Sequence, residues 1–147
     1  MSNQTTLYYD RAIDVKEPAL SANGLGSGLR WLRERRDLSL RELGQLSGVD
    51  HAYVHRLEKG DKSNPTEDTM DKLTRVLRAD TRQSSVMKWL VSHPDTDPDM
   101  VEYALENESI SIELFSAAAG VAFRGAGRPD PETLFARVRQ IFEEDAP

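Results

Sequence analysis

Three features of this chain predict an all-α protein built from two small helical units. Apolar residues recur at helical spacing in eight separate stretches. Several of these stretches open on good N-cap residues (Ser39, Asp50, Thr66) and two close on glycines (Gly48, Gly60). The 147 residues are 38% hydrophobic and 30% charged, the make-up of a soluble, helix-rich protein and too apolar for wholesale disorder.

Each element follows from its residues. Residues 1–22 are polar, lack clear periodicity and read as a flexible arm, in which Leu7-Tyr8-Tyr9 would form a short strand or pack on a partner. Leu25, Leu29 and Leu32 stand at i, i+4, i+7, the stripe of an amphipathic helix ending near Asp37. Ser39, three residues before Glu42, is a capping-box pattern; a helix with Leu40, Leu43 and Leu46 inward follows and stops at Gly48. Asp50 opens a third helix, His51 to Lys59, with Val54 and Leu57 inward, and Gly60 ends it. Thr66 starts a fourth, with Met70, Leu73, Val76 and Leu77 on one face, and residues 82–92 make a fifth, with Val86, Trp89 and Leu90 inward. Residues 93–98, with Pro94 and Pro98 among aspartates, read as a linker between a unit at 23–92 and a second at 99–147. Asp99–Asn107, Ser111–Phe123 and Pro131–Glu144 are the helical segments of that second unit.

Charge and composition exclude several functions. No cysteine is present, which removes disulfide scaffolds, cysteine catalysis and thiolate metal sites. No apolar run approaches the ~20 residues of a membrane span, and Met1 to Lys16 lacks a signal-peptide core, so a cytoplasmic location is expected. The net charge of −6 argues against binding nucleic acid by bulk electrostatics, but the charge is uneven. Residues 28–80 carry 11 basic and 10 acidic side chains, whereas residues 81–147 carry 6 and 12. A DNA-binding surface belongs in the middle of the chain.

The segment from Ser39 to Gly60 carries the strongest signal. Two short helices crossing steeply through a tight turn need a small residue where they approach, here Gly44, and a turn residue that tolerates positive φ, here Gly48. Leu43, Val49, Val54 and Leu57 supply the small core. From Leu25 to about Ala79 the chain resembles the XRE, or Cro/cI-like, helix-turn-helix repressors. The resemblance includes Leu25-Gly26, Leu29-Arg30 and Leu32-Arg33 of the first helix, the Leu57-Glu58-Lys59-Gly60 end of the third, and Asn64-Pro65 before the fourth. It implies that the third helix enters the major groove of an operator and that His51, Ala52, His55 and Arg56 face base edges. Arg56 suits a bidentate contact to guanine, and Ala52 a thymine methyl. Tyr53, Lys59, Lys62, Ser63 and Asn64 would hold phosphates. Leu40 departs from the family, many members of which carry a backbone-contacting glutamine there; Arg41 is the substitute, with Arg30 and Arg36 as further cations.

The same resemblance assigns Arg33 and Glu58 to an internal ion pair tying the first helix to the third, in preference to DNA contact. His51 and His55 stand at i, i+4, a metal-chelating spacing, but Ala52 breaks the metalloprotease pattern and no third ligand is evident, so no metal is expected. Trp31 and Trp89 read as core residues, and Asp95, Asp97 and Asp99 as a solvated linker. Gly125-Ala126-Gly127 lacks the lysine of a phosphate-binding loop, and no nucleophile–base set points to an enzyme.

A single helix-turn-helix unit buries only about 600–1,000 Å² on DNA, so a homodimer on a palindromic site is expected. Ile110, Ile112, Leu114, Phe115, Val121, Phe123, Phe135, Val138 and Phe142 offer more apolar surface than about 45 residues hide alone, which points to a dimerisation domain at 99–147. The run Gly120 to Pro129 resembles the DdrO-type stress-response repressors. That resemblance implies cleavage by a regulatory zinc metalloprotease at Phe123–Arg124, which would destroy the dimer and release DNA. A rival reading is an antitoxin-type interaction module whose acidic C-terminal part neutralises a toxin partner and which autoregulates its operon.

Overall fold

A computed structural model describes residues 23–121 and 129–145, which form eight helices and no strand. They are α1 (Gly24–Arg35), α2 (Leu40–Ser47), α3 (His51–Lys59), α4 (Glu67–Val76), α5 (Thr81–Ser92), α6 (Pro98–Glu106), α7 (Ile112–Ala119) and α8 (Pro131–Glu144). The arm at 1–22, with Leu7-Tyr8-Tyr9, and the loop holding Phe123 and Arg124 lie outside the described residues.

Local chemistry sets most boundaries. The Ser39–Glu42 capping box is closed in both directions, the Glu42 N–H donating to the Ser39 hydroxyl at 3.0 Å and the Ser39 N–H to the Glu42 carboxylate at 2.8 Å. Asp80 and Gln83 form a second box, unforeseen in the sequence, which starts α5. Asp97 caps α6 and Pro98 takes its first helical position, where a missing N–H costs nothing, so the helix begins one residue before expectation. Ser111 caps α7, which ends at Ala119 and not at Phe123.

One apolar cluster runs from Leu25 to Val138, and α1 lies within it, packed on α3, α5 and α6. The close approaches are specific. A Cβ on Gly26 would sit 2.4 Å from the Glu58 carbonyl oxygen, one on Gly24 would sit 2.4 Å from that of Thr96, and one on Gly28 would sit 2.8 Å from the Met87 sulfur. The expected linker is therefore fastened to α1: the Leu25 N–H donates to the Pro94 carbonyl at 3.2 Å.

This continuity corrects the argument that residues 99–147 carry surplus apolar surface. Ile110, Leu114, Phe115, Leu134, Phe135 and Val138 are buried in this same chain, because α6 packs on α1 and α7 on α5. Phe135 stacks on Tyr103 at 5.6 Å, and Trp89 meets Phe115 edge-on at 5.3 Å between centroids. Val121, Ile141 and Phe142 remain 40%, 54% and 43% exposed. Trp31 is half-buried against the core, with the Arg35 guanidinium over its ring.

Arginines close several helix ends, where the last carbonyls lack partners. Arg82 donates to the carbonyls of Ala104, Leu105 and Ile110 at 2.6, 3.0 and 3.0 Å, anchoring the end of α6 to α5. Arg35 donates to Leu77 and Arg78, and Arg36 to Val76, at the end of α4.

Candidate nucleic-acid interface

The site begins with the α2–α3 turn. Gly48 adopts φ +77°, the left-handed conformation expected of it, and its N–H returns to the Gly44 carbonyl at 2.9 Å. A Cβ on Gly44 would lie 2.9 Å from the Val49 carbonyl and 3.0 Å from the His51 Cβ, so a larger residue would push the two helices apart. Asp50 then caps α3 through the Ala52 N–H, at 3.1 Å.

Within α3, Val54 and Leu57 are fully buried, which turns the opposite face outward. His51, Ala52, His55 and Arg56 are all exposed on that face. The four residues assigned to base edges are thus brought together. Arg41 is exposed on α2, and with Gly44, Gln45, Gly48, Val49, Asp50 and His51 it lines a groove of about 440 Å³ between the two helices. Gln45 is a polar member of this edge that sequence reasoning missed; its position one helical turn after Arg41 was the available signal.

The flanking residues are less uniform. Lys59, Lys62, Ser63 and Asn64 are exposed beyond the end of α3, with Asn64 in the left-handed region at φ +62°. Lys59 lies 3.8 Å from the exposed Asp61 carboxylate, a weak pair that a phosphate can displace. Tyr53 differs: it is half-buried and packs against the core. Arg41, Arg56 and Lys62 make no ion pair among the described residues. Arg30 makes an exposed i,i+4 pair with Glu34 at 3.0 Å, and Arg36 donates to the Val76 carbonyl at the end of α4.

Behind α3, Arg33 and Glu58 form a bidentate pair at 2.7 and 2.8 Å, and Arg33 also donates to the Leu38 carbonyl. Burial is the largest single influence on the Arg33 guanidinium and lowers its pKa. The Glu58 hydrogen bond and the charges of Glu58 and Glu34 outweigh it and raise the net value. The bidentate pair locks the end of α3 to α1. Leu46 is 62% exposed on α2, in contrast to the inward position read from its spacing.

Residues 25–84 match the family model described as a helix-turn-helix domain. That stretch is a helix-turn-helix domain, in agreement with the resemblance of its sequence to XRE-type repressors. The chain is 27% identical over 93 residues to the uncharacterized HTH-type transcriptional regulator RghRB of Bacillus subtilis (strain 168), covering 63% of this chain and 65% of that one. It is 40% identical over 53 residues to the HTH-type transcriptional repressor RghR of the same organism, covering 36% and 39%. The matched stretches span less than two thirds of either relative's length. No solved structure matches the chain.

Proposed function

We propose that this protein is a sequence-specific DNA-binding transcriptional repressor that acts as a homodimer on an operator with dyad symmetry. The observation that carries this reading is the outward face of α3. It presents His51, Ala52, His55 and Arg56 side by side, next to the unpaired cations Arg41 and Lys62. In this role α3 lies in the major groove, with Arg56 reading a guanine and Ala52 a thymine methyl. Arg41, Lys59, Lys62, Ser63 and Asn64 hold the phosphates, with the half-buried Tyr53 beside them. That one relative is an HTH-type transcriptional repressor supports the direction of regulation. No described helix is long and apolar enough to cross a membrane; the DNA of this reading is that of the cytoplasmic nucleoid. The test is binding of the chain to DNA from its own promoter and to a scrambled sequence at fixed salt. Equal affinity for the two overturns sequence-specific action.

Regulation by a metalloprotease at Phe123–Arg124 is part of the same proposal. A cut there detaches α8, taking Leu134, Phe135 and Val138 out of the core and baring Tyr103 and Phe115. A chain ending at Phe123 that keeps full DNA affinity overturns this switch. The acidic charge of residues 81–147 favours one alternative, an antitoxin that masks a basic toxin partner. That alternative requires a neighbouring gene that is lethal alone and harmless when co-expressed with this chain.

A further inference from the structure

The C-terminal end of α8 is oddly built for a lone helix. Its inner face, Leu134, Phe135 and Val138, is buried, yet Ile141 and Phe142 further along are 54% and 43% exposed. Its last residues, Glu143, Glu144 and then Asp145, are all acidic, and no basic residue lies in its last turn. Negative charge at a helix C-terminus is repelled by the partial negative charge of the unpaired carbonyls. Among the described residues only Gln140 reaches this cluster, donating to the Glu144 carboxylate at 3.2 Å. The exposed cation Arg137 makes no ion pair among the described residues and stands seven positions earlier, about 10 Å away along the axis.

Arg137, Ile141 and Glu144 share one stripe, at i, i+4, i+7. The stripe is complementary to itself when reversed. We infer that α8 pairs antiparallel with α8 of a second copy about a two-fold axis. Arg137 of each copy then lies opposite Glu144 of the other, with Gln140 and Ile141 at the centre. A parallel pairing would bring the two acidic ends together and is disfavoured by like charge. Antiparallel pairing brings each acidic end to a cation, covers Ile141 and makes one patch serve both subunits, as an isologous contact requires. The inference rests on the homodimeric reading above and names the surface that supplies it.

The experiment is the mass of the full chain in solution, by sedimentation across a concentration series. It needs no DNA, so its outcome is separable from that of operator binding. The wild-type chain is expected to be a dimer. R137E and E144R are each expected to weaken the dimer more than tenfold, and the double variant R137E/E144R to restore it. I141E is expected to give a monomer that no charge reversal rescues. All three sites are exposed, so the far-ultraviolet circular dichroism of each variant should match the wild type. A wild-type monomer at high concentration overturns the inference while leaving DNA binding to stand or fall on its own test. A dimer that survives I141E and both single reversals, or single losses without rescue in the double variant, equally overturns it.

Discussion

Arginine is used in opposite ways at the two sides of α1. On the α2–α3 edge, Arg41 and Arg56 are exposed and unpaired among the described residues. On the seam where α1 meets α3, α4 and α5, Arg33, Arg35 and Arg36 are spent on a buried carboxylate and on helix-end carbonyls. Arg82 does the same for α6. The 11 basic residues between 28 and 80 are therefore not a measure of DNA contact. What separates a scaffold arginine from an interface arginine is whether the fold already supplies its acceptor.

That division can be broken by substitution, and the largest effect belongs to the scaffold. Glu58→Ala leaves the mostly buried Arg33 guanidinium without its carboxylate and should cost about 3–5 kcal/mol in urea unfolding. The double change Arg33→Met with Glu58→Leu should cost much less, because no charge is stranded. Arg82→Ala removes a charged donor from three carbonyls and should cost about 2–3 kcal/mol by the same measurement. Arg56→Ala should leave stability within about 0.5 kcal/mol, but lose about 1–3 kcal/mol of operator affinity and relax the preference at one base pair. If Arg56→Ala melts like Glu58→Ala, the two classes are not distinct. Lys62→Ala should weaken operator and scrambled DNA alike and reduce the salt-dependence slope by about one.

The smallest effect sharpens the comparison from the acidic side. Burial raises the Glu102 carboxyl pKa, and Asp99, Glu34 and Glu106 add to the rise while Arg30 opposes it. A carboxyl raised in the folded state favours folding fully below its unfolded pKa, and that contribution is lost as pH rises through the folded value. Glu102→Gln should therefore raise the melting temperature slightly at neutral pH, with the gain vanishing below the ordinary carboxylate range. A loss of stability at neutral pH would show that the charge is being used, not tolerated.

Much of the interface was legible in the sequence because it is local. Ser39, Asp50, Gly48 and Gly60 act within four residues of themselves, so their caps and turns could be read directly. Leu46 was misread for a geometric reason. Residues three apart on a helix differ by about 60° in direction, so Leu40 and Leu46 flank Leu43 symmetrically. Only the placement of α3 and α4 decides which flank is covered, and it is that of Leu40. The acceptors of Arg35, Arg36 and Arg82 lie 22 to 48 residues away in the chain, where no local pattern reaches. Tyr53 reads as a phosphate contact from its place beside the third helix, and how far its ring tucks against the core depends on packing that the local sequence does not carry.

The glycines of α1 bear on how the molecule can be divided. With Gly24 against residue 96, Gly26 against the end of α3 and Gly28 against α5 and α6, the helix is clasped on three sides at once. The recognisable domain stops at residue 84, but the clasp does not. A fragment trimmed to the recognisable portion would lose the segment that Gly24 and Gly28 were shaped to meet. The inherited unit and the unit that folds are thus different lengths of this chain. On the proposed reading, base preference can be rewritten at His51, His55 or Arg56 one residue at a time, whereas the body that presents them is to be transplanted whole.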